Sequence, residues 1–224
     1  LKTSFDSPII NKLSWPKISW GPGLFDLDND GDLDLFFANG HLNSVSGDNR
    51  QSNLLFKNDG TGLYTDVPKS SGVLDTGQRI HRSAMFADYD NDGRIDMFVT
   101  VNGQQVEDGK GNTIYDENQG KGILFQNQTK TKNNWVKIRL EGTESNRDAY
   151  GASVSVLING IKQKQFLVSG QGYFSNHAQE LYFETFMFHL SVKIQPVDTN
   201  FILHRIFLLT CAGGLRYTTL RKLN

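Results

Sequence analysis

One unusual pattern is written twice in this chain. Residues 26–34 read D-L-D-N-D-G-D-L-D, and residues 88–96 read D-Y-D-N-D-G-R-I-D. Carboxylates fall at the first, third, fifth and ninth positions, with glycine at the sixth. The sets are Asp26, Asp28, Asp30 and Asp34 with Gly31, and Asp88, Asp90, Asp92 and Asp96 with Gly93. So many carboxylates in so short a stretch repel one another unless a cation sits among them. Alternate side chains of a tightly curled loop can converge on one centre, and glycine permits the sharp turn. A hard divalent ion that takes about six to eight oxygens suits such a loop, so both stretches are read as Ca2+ sites. The seventh position is Asp32 in one loop and Arg94 in the other. An arginine side chain cannot ligate a cation, so both residues are expected to offer only a backbone carbonyl.

A pair of solvated Asp-Asn-Gly turns would share this composition. The matching Asn29 and Asn91, and the apolar Leu33 and Ile95, argue instead for a built repeat. An EF-hand needs a glutamate at its twelfth position, where this chain has Phe37 and Val99. It also needs a following helix, whereas both loops run into short, apolar, strand-like segments. The ion is therefore expected in a turn between strands. The context repeats too: Phe25 to Gly40 aligns with Phe86 to Gly103, and Asn53 to Asn58 is echoed by Gly122 to Asn127. Asn58 to Gly62 reads as a hairpin turn. Several short strands per unit predict propeller blades.

From about Trp135 the pattern changes. Trp135 to Leu140 alternates like a half-buried strand. Val154 to Ile158 and Lys162 to Val168 flank Asn159-Gly160, a strong two-residue hairpin signal. Residues 133–195 read as a second β module.

These acidic loops and their flanks resemble FG-GAP repeats, also called VCBS repeats, which form β-propeller blades. N-G-H-L-N at 39–43 fits the same family. Residues 134–156 (N-W-V-K-I-R-L-E-G-T-E-S-N-R-D-A-Y-G-A-S-V-S-V) and 169–176 (S-G-Q-G-Y-F-S-N) resemble the ASPIC/UnbV domain, which follows such repeats in surface and secreted proteins. The resemblance implies an all-β chain. Residues 1–130 would hold the calcium-binding repeats as a partial β-propeller, and 131–195 a small β-sandwich-like ASPIC/UnbV module. Residues 196–224, which depart from the family pattern, would be an atypical tail. The family's calcium ligands carry over onto Asp26, Asp28, Asp30 and Asp34 with the Asp32 carbonyl. The second set is Asp88, Asp90, Asp92 and Asp96 with the Arg94 carbonyl. The resemblance further implies an extracellular, cell-surface or periplasmic protein. It would be non-enzymatic and act in adhesion or in binding an extracellular glycan or protein. The alternative is the scaffold portion of a secreted polysaccharide-acting enzyme.

Composition agrees with that class. The chain has 224 residues, 21% charged, with a net charge of −1, which gives no electrostatic case for nucleic acid. No apolar run reaches the length of a membrane span. A single cysteine, Cys211, excludes an internal disulfide framework and a cysteine-based zinc site. The five histidines, His41, His81, His177, His189 and His204, show no zinc spacing. Trp15, Trp20 and Trp135 are expected to fill β cores. Long polar loops at 41–52 and 103–122 are the expected places for recognition, with Tyr115 and Asp116 able to meet a sugar ring. Asn127-Gln128-Thr129 is a formal glycosylation sequon.

Overall fold

The computed structural model describes residues 7–42, 49–67, 79–103, 105–107, 109–110, 112–115, 120–130, 133–142, 146–158, 161–185, 190–195, 203–210 and 218–219. A short helix, α1 (Pro8–Ser14), comes first, with proline in its opening turn, where the missing N–H costs nothing. Four strands come next: β1 (Ser19–Phe25), β2 (Asp34–Asn39), β3 (Leu54–Asn58) and β4 (Tyr64–Asp66). They pair antiparallel in the order β1-β2-β3-β4, the meander of one complete propeller blade. The β3–β4 hairpin falls where Asn58 to Gly62 predicts it. Asp59 accepts the backbone N–H groups of Thr61 and Leu63 there. Helix α1 lays Ile10 on Leu54 and Phe56 and so covers one face of the blade.

The pattern then repeats with β5 (Ile80–Ala87), β6 (Asp96–Asn102), β7 (Gln105–Glu107), β8 (Thr113–Tyr115) and β9 (Ile123–Phe125). Among the described residues the second blade has the order β5-β6-β9, and β7 and β8 form a hairpin of their own within the predicted long loop. Each acidic loop joins the first two strands of its blade and runs into a strand, as expected. The two blades meet along β1 and β5. A Cβ at Gly23 would overlap the Phe86 ring, so only glycine allows this approach. Phe25, Phe36, Phe86, Met97 and Val99 make the shared core.

The last unit holds β10 (Asn134–Gly142), β11 (Ser153–Ile158), β12 (Ile161–Phe166), β13 (Leu181–Thr185), β14 (Leu190–Gln195), β15 (Leu203–Thr210) and β16 (Thr218–Thr219). They form two sheets, β13-β10-β15-β16 and β12-β11-β14. Strand β15, within the segment read as a tail, pairs with β10 along its length. Val136, Ile138, Val154, Val156, Leu181 and Phe183 fill the space between the sheets. The chain is thus all-β, with propeller blades followed by a two-sheet module.

Two expectations are corrected. Trp15 is 90% exposed, because it sits just after the last turn of α1 and points away from the blade. The first half of β10 is not half-buried: Trp135, Val136, Lys137 and Ile138 are all buried, since both faces are covered there, and only from Arg139 on does the strand alternate. Trp135 fills a core position, and Trp20 packs edge-on against Tyr173 with the Arg82 guanidinium over its ring. Asp116, Ser145, Asn159, Gly160, His189 and Cys211 lie outside the described residues, as do residues 43–48 of the 41–52 loop.

Candidate metal centres

The two acidic loops share the same turn and the same main backbone brackets. Asn29 and Asn91 take φ of 53° and 61°, and Gly31 and Gly93 take 91° and 87°. These left-handed positions curl the chain and suit asparagine and glycine. Asp26 accepts the N–H groups of Asp30 and Gly31, as Asp88 accepts those of Asp92 and Gly93. The closing aspartates Asp34 and Asp96 each reach back to the loop's second residue, accepting N–H from Leu27 and Tyr89. Their other oxygens accept N–H from Asn58 and Asn127, at the ends of the third strands. The repeated asparagine after L-L-F-K and I-L-F-Q therefore marks the residue that anchors each cage.

Ligand-capable oxygens of Asp26, Asp28 and Asp34 lie within 4.8 Å of one another, and so do those of Asp88, Asp90 and Asp96. The fifth-position residues stand outside these triads. Asp30 pairs with Lys57 at 3.3 Å, and Asp92 pairs with Arg94. Lys57 also bonds Asp28, and at the equivalent place in the second loop Gln126 donates to Asp90 at 2.7 Å. Asp32 and Arg94 occupy the seventh positions, their backbone N–H groups bonded to the carboxylates of Asp30 and Asp92.

Burial in so acidic a place favours the protonated carboxyl. Asp26 is pushed up to about 7, chiefly by burial, with Asp30 and Asp34 adding and the Gly31 and Asp30 N–H groups opposing. Asp34 rises to about 6 for the same leading reason, and Asp96 is raised as well. A divalent cation reverses this balance by favouring the ionised form. Among the described residues, nothing hydrogen-bonds the buried Oδ1 of Asp28, as a metal ligand would be left. The residues present fit such an ion.

The loops touch each other and the two-sheet module. Asn29 Nδ2 donates to the Gly93 carbonyl at 3.1 Å. Asn127 Nδ2 donates to the carbonyls of Leu27 at 2.7 Å and Ile95 at 3.2 Å, so the sequon asparagine is a buried tie between loops. From the module, Trp135 lies against Gly93, leaving no room for a Cβ there. Lys137 Nζ sits 3.1 Å from Asp88 and 2.9 Å from Asn91 Oδ1. Glu184, 3% exposed, turns toward the first loop, and both its oxygens lack a hydrogen-bond partner among the described residues. Its carboxyl is raised to about 8, first by burial and then by Asp26, with the Asn133 amide opposing and Asp30 and Asp28 adding. A cavity of about 300 Å³ between the units is lined by Asp26, Phe86, Trp135, His177, Tyr182 and Glu184, among others.

Sequence reasoning missed Lys57, Lys137, Gln126 and Glu184. Only the recurrence of Asn58 and Asn127 offered a signal for the anchors.

Blades joined by curled acidic turns and followed by a two-sheet β module define an acidic-loop type of repeat protein. Residues 26–99 match the FG-GAP-like repeat family and residues 142–184 match the ASPIC and UnbV family. The chain carries FG-GAP-like repeats followed by an ASPIC/UnbV domain. No curated protein matches it. FG-GAP-like repeat proteins are typically extracellular or surface-exposed, and both domains fit an extracellular repeat protein. Among the described residues, no helix is long and apolar enough to cross a membrane.

Proposed function

We infer that this chain is an extracellular Ca2+-binding module that acts by adhesion, holding a glycan or protein ligand on loops stiffened by the ion, and that it carries out no catalysis itself. The observation that supports the reading is the pair of aspartate triads at equivalent loop positions with matching N–H brackets. Asp26, Asp28 and Asp34 would hold one ion, and Asp88, Asp90 and Asp96 the other. Ca2+ would supply charge neutralisation and a fixed turn. The chain's own residues do the rest: Asn58 and Asn127 fix the closing aspartates, and Asn29 and Asn127 lock one loop to the other.

Extracellular sites of this type bind at about 0.1–1 mM. At about 1 mM free ion that affinity adds about 0.4–1.4 kcal/mol per site. This is a stabilising role for a repeat that depends on its neighbours. The test is thermal melting with Ca2+ and with chelator, for the natural chain and for Asp28→Ala and Asp90→Ala. Calcium should raise the melting temperature of the natural chain, and each substitution should remove part of that rise. Equal melting in both conditions would reject the ion. For the ligand, arrays of glycans and matrix proteins read with Ca2+ and then with chelator should give binding that chelator abolishes. Turnover of a polysaccharide, abolished together with the loops, would favour the enzyme-scaffold reading.

A further inference from the structure

We propose that the two loops are unequal cation sites, made so by the ASPIC/UnbV module: Glu184 adds a carboxylate to the first loop, while Lys137 occupies the second as a resident cation. The inference rests on the calcium reading above and deepens it.

Strand register decides which side chains of the module meet the loops. In the β10–β13 pair, Trp135 stands opposite Glu184 and Lys137 opposite Tyr182. Directly opposed residues, and residues two apart on a strand, share one face of a sheet. These four side chains therefore point the same way, and the alternate set, Val136, Ile138, Leu181 and Phe183, points into the module's own core. The first face rests on the acidic loops. Tyr182 packs against the blade core, Trp135 covers Gly93, and the Lys137 ammonium lies 5.2 Å from the Tyr182 ring centroid.

Opposite charges are delivered to the two loops. Lys137, 6% exposed, is held by Asp88 and by Asn91 Oδ1, so it neutralises part of one triad from the side of Asp88. A buried ammonium so placed competes with any cation that Asp88 would ligate. Around the first loop the buried group is instead Glu184, with Oε2 about 3.5 Å from where a Cβ on Gly31 would lie. The Asn133 amide favours the ionised Glu184 carboxyl only in part, and neither oxygen makes a well-formed hydrogen bond among the described residues, so a nearby cation would stabilise it further.

The remaining charges add to the contrast. The first loop has five aspartates and the second four, and the second also holds Arg94. Lys57 at the first loop is no counterpart to Lys137, because its side chain is 41% exposed and free to swing into water, against 7% for Lys137. Glu184 closes the region matched by the ASPIC and UnbV family and Lys137 stands on β10 just before it, so both buried groups come from the two-sheet unit. One consequence is linkage: an ion in the first loop favours the seated module, and the seated module favours that ion.

The test is calorimetric titration of the full chain with calcium chloride after chelator treatment. Two steps should appear, separated by about tenfold or more in Kd, as expected for opposite buried charges beside otherwise equal sites. Asp28→Ala should remove the tighter step, and Asp90→Ala the weaker one. Glu184→Gln, which keeps shape, should weaken the tighter step several-fold and leave the weaker unchanged. Lys137→Met should tighten the weaker step. A single class of equal sites overturns the proposal, as does loss of the weaker step in Asp28→Ala or an unchanged tighter step in Glu184→Gln. The intact chain with Asp28→Ala suffices should Lys137→Met fail to fold. No uptake at either loop overturns the calcium reading itself, an outcome distinct from two equal sites.

Discussion

Replacing Asn127 by alanine is the sharpest test of how the blades are tied together. Its Nδ2 donates to the Leu27 carbonyl of the first loop and to the Ile95 carbonyl of the second, and its Oδ1 accepts the Thr129 N–H. The residue is 8% exposed, so water cannot replace these bonds without opening the junction. Each hydrogen bond contributes about 0.5–1.5 kcal/mol net, and a buried group left unpaired costs about 1–3 kcal/mol. The expected loss is about 2–4 kcal/mol. For a chain of this size that is a fall in melting temperature of about 4–16 °C. The assay is calorimetric or circular-dichroism melting of Asn127→Ala beside Asn127→Asp. The aspartate keeps the shape but cannot donate, so it should fall at least as far. A change below about 1 °C for alanine would refute the claim that this side chain joins the loops.

The ion-free protein should grow less stable between pH 5 and pH 8. Asp26, Asp34 and Glu184 have raised pKa values when folded, to about 7, 6 and 8, so the native state holds protons that the unfolded chain has released. Stability from these groups is present below their unfolded pKa and is lost as pH rises through the folded values. Added Ca2+ should therefore raise the melting temperature more at pH 8 than at pH 5, and an equal rise at both would contradict the assignment. Gly93→Ala should cost about 1–3 kcal/mol, since its φ of 87° is strained for alanine and the Trp135 indole fills the space of the new Cβ. A shift in tryptophan emission should accompany it, and unchanged emission and melting would place Trp135 elsewhere. Trp15→Ala should change stability by less than about 0.5 kcal/mol, and a larger loss on denaturant unfolding would show that the indole is packed.

The acidic loops and their strands were legible because local chemistry sets them. Asparagine and glycine fix the curl, and apolar alternation fixes the strand that each loop enters. The blade order was legible for the same reason, since short turns join neighbours. The cover over the outer face of β10 was not legible. Alternation shows that Val136 and Ile138 point to one side and Trp135 and Lys137 to the other, but a lysine on the second side reads as solvent-facing. Its burial depends on Asp88 and Asn91, which are distant in sequence and brought together only by the stacking of module on blade. Glu184 is hidden for the same reason. Trp15 misleads in the opposite direction, because a large ring is read as core when the helix before it points it outward. Asn127 reads as a glycosylation sequon and proves to be a buried tie.

Whether the loops hold calcium is answered by counting the bound ions. Equilibrium dialysis of the full chain against a low-millimolar calcium buffer, with metal counted by atomic emission, should give about two ions per chain for the natural sequence and about one for Asp28→Ala or Asp90→Ala. No bound calcium in a folded, chelator-stripped sample, or a count that neither substitution changes, would contradict calcium in the loops.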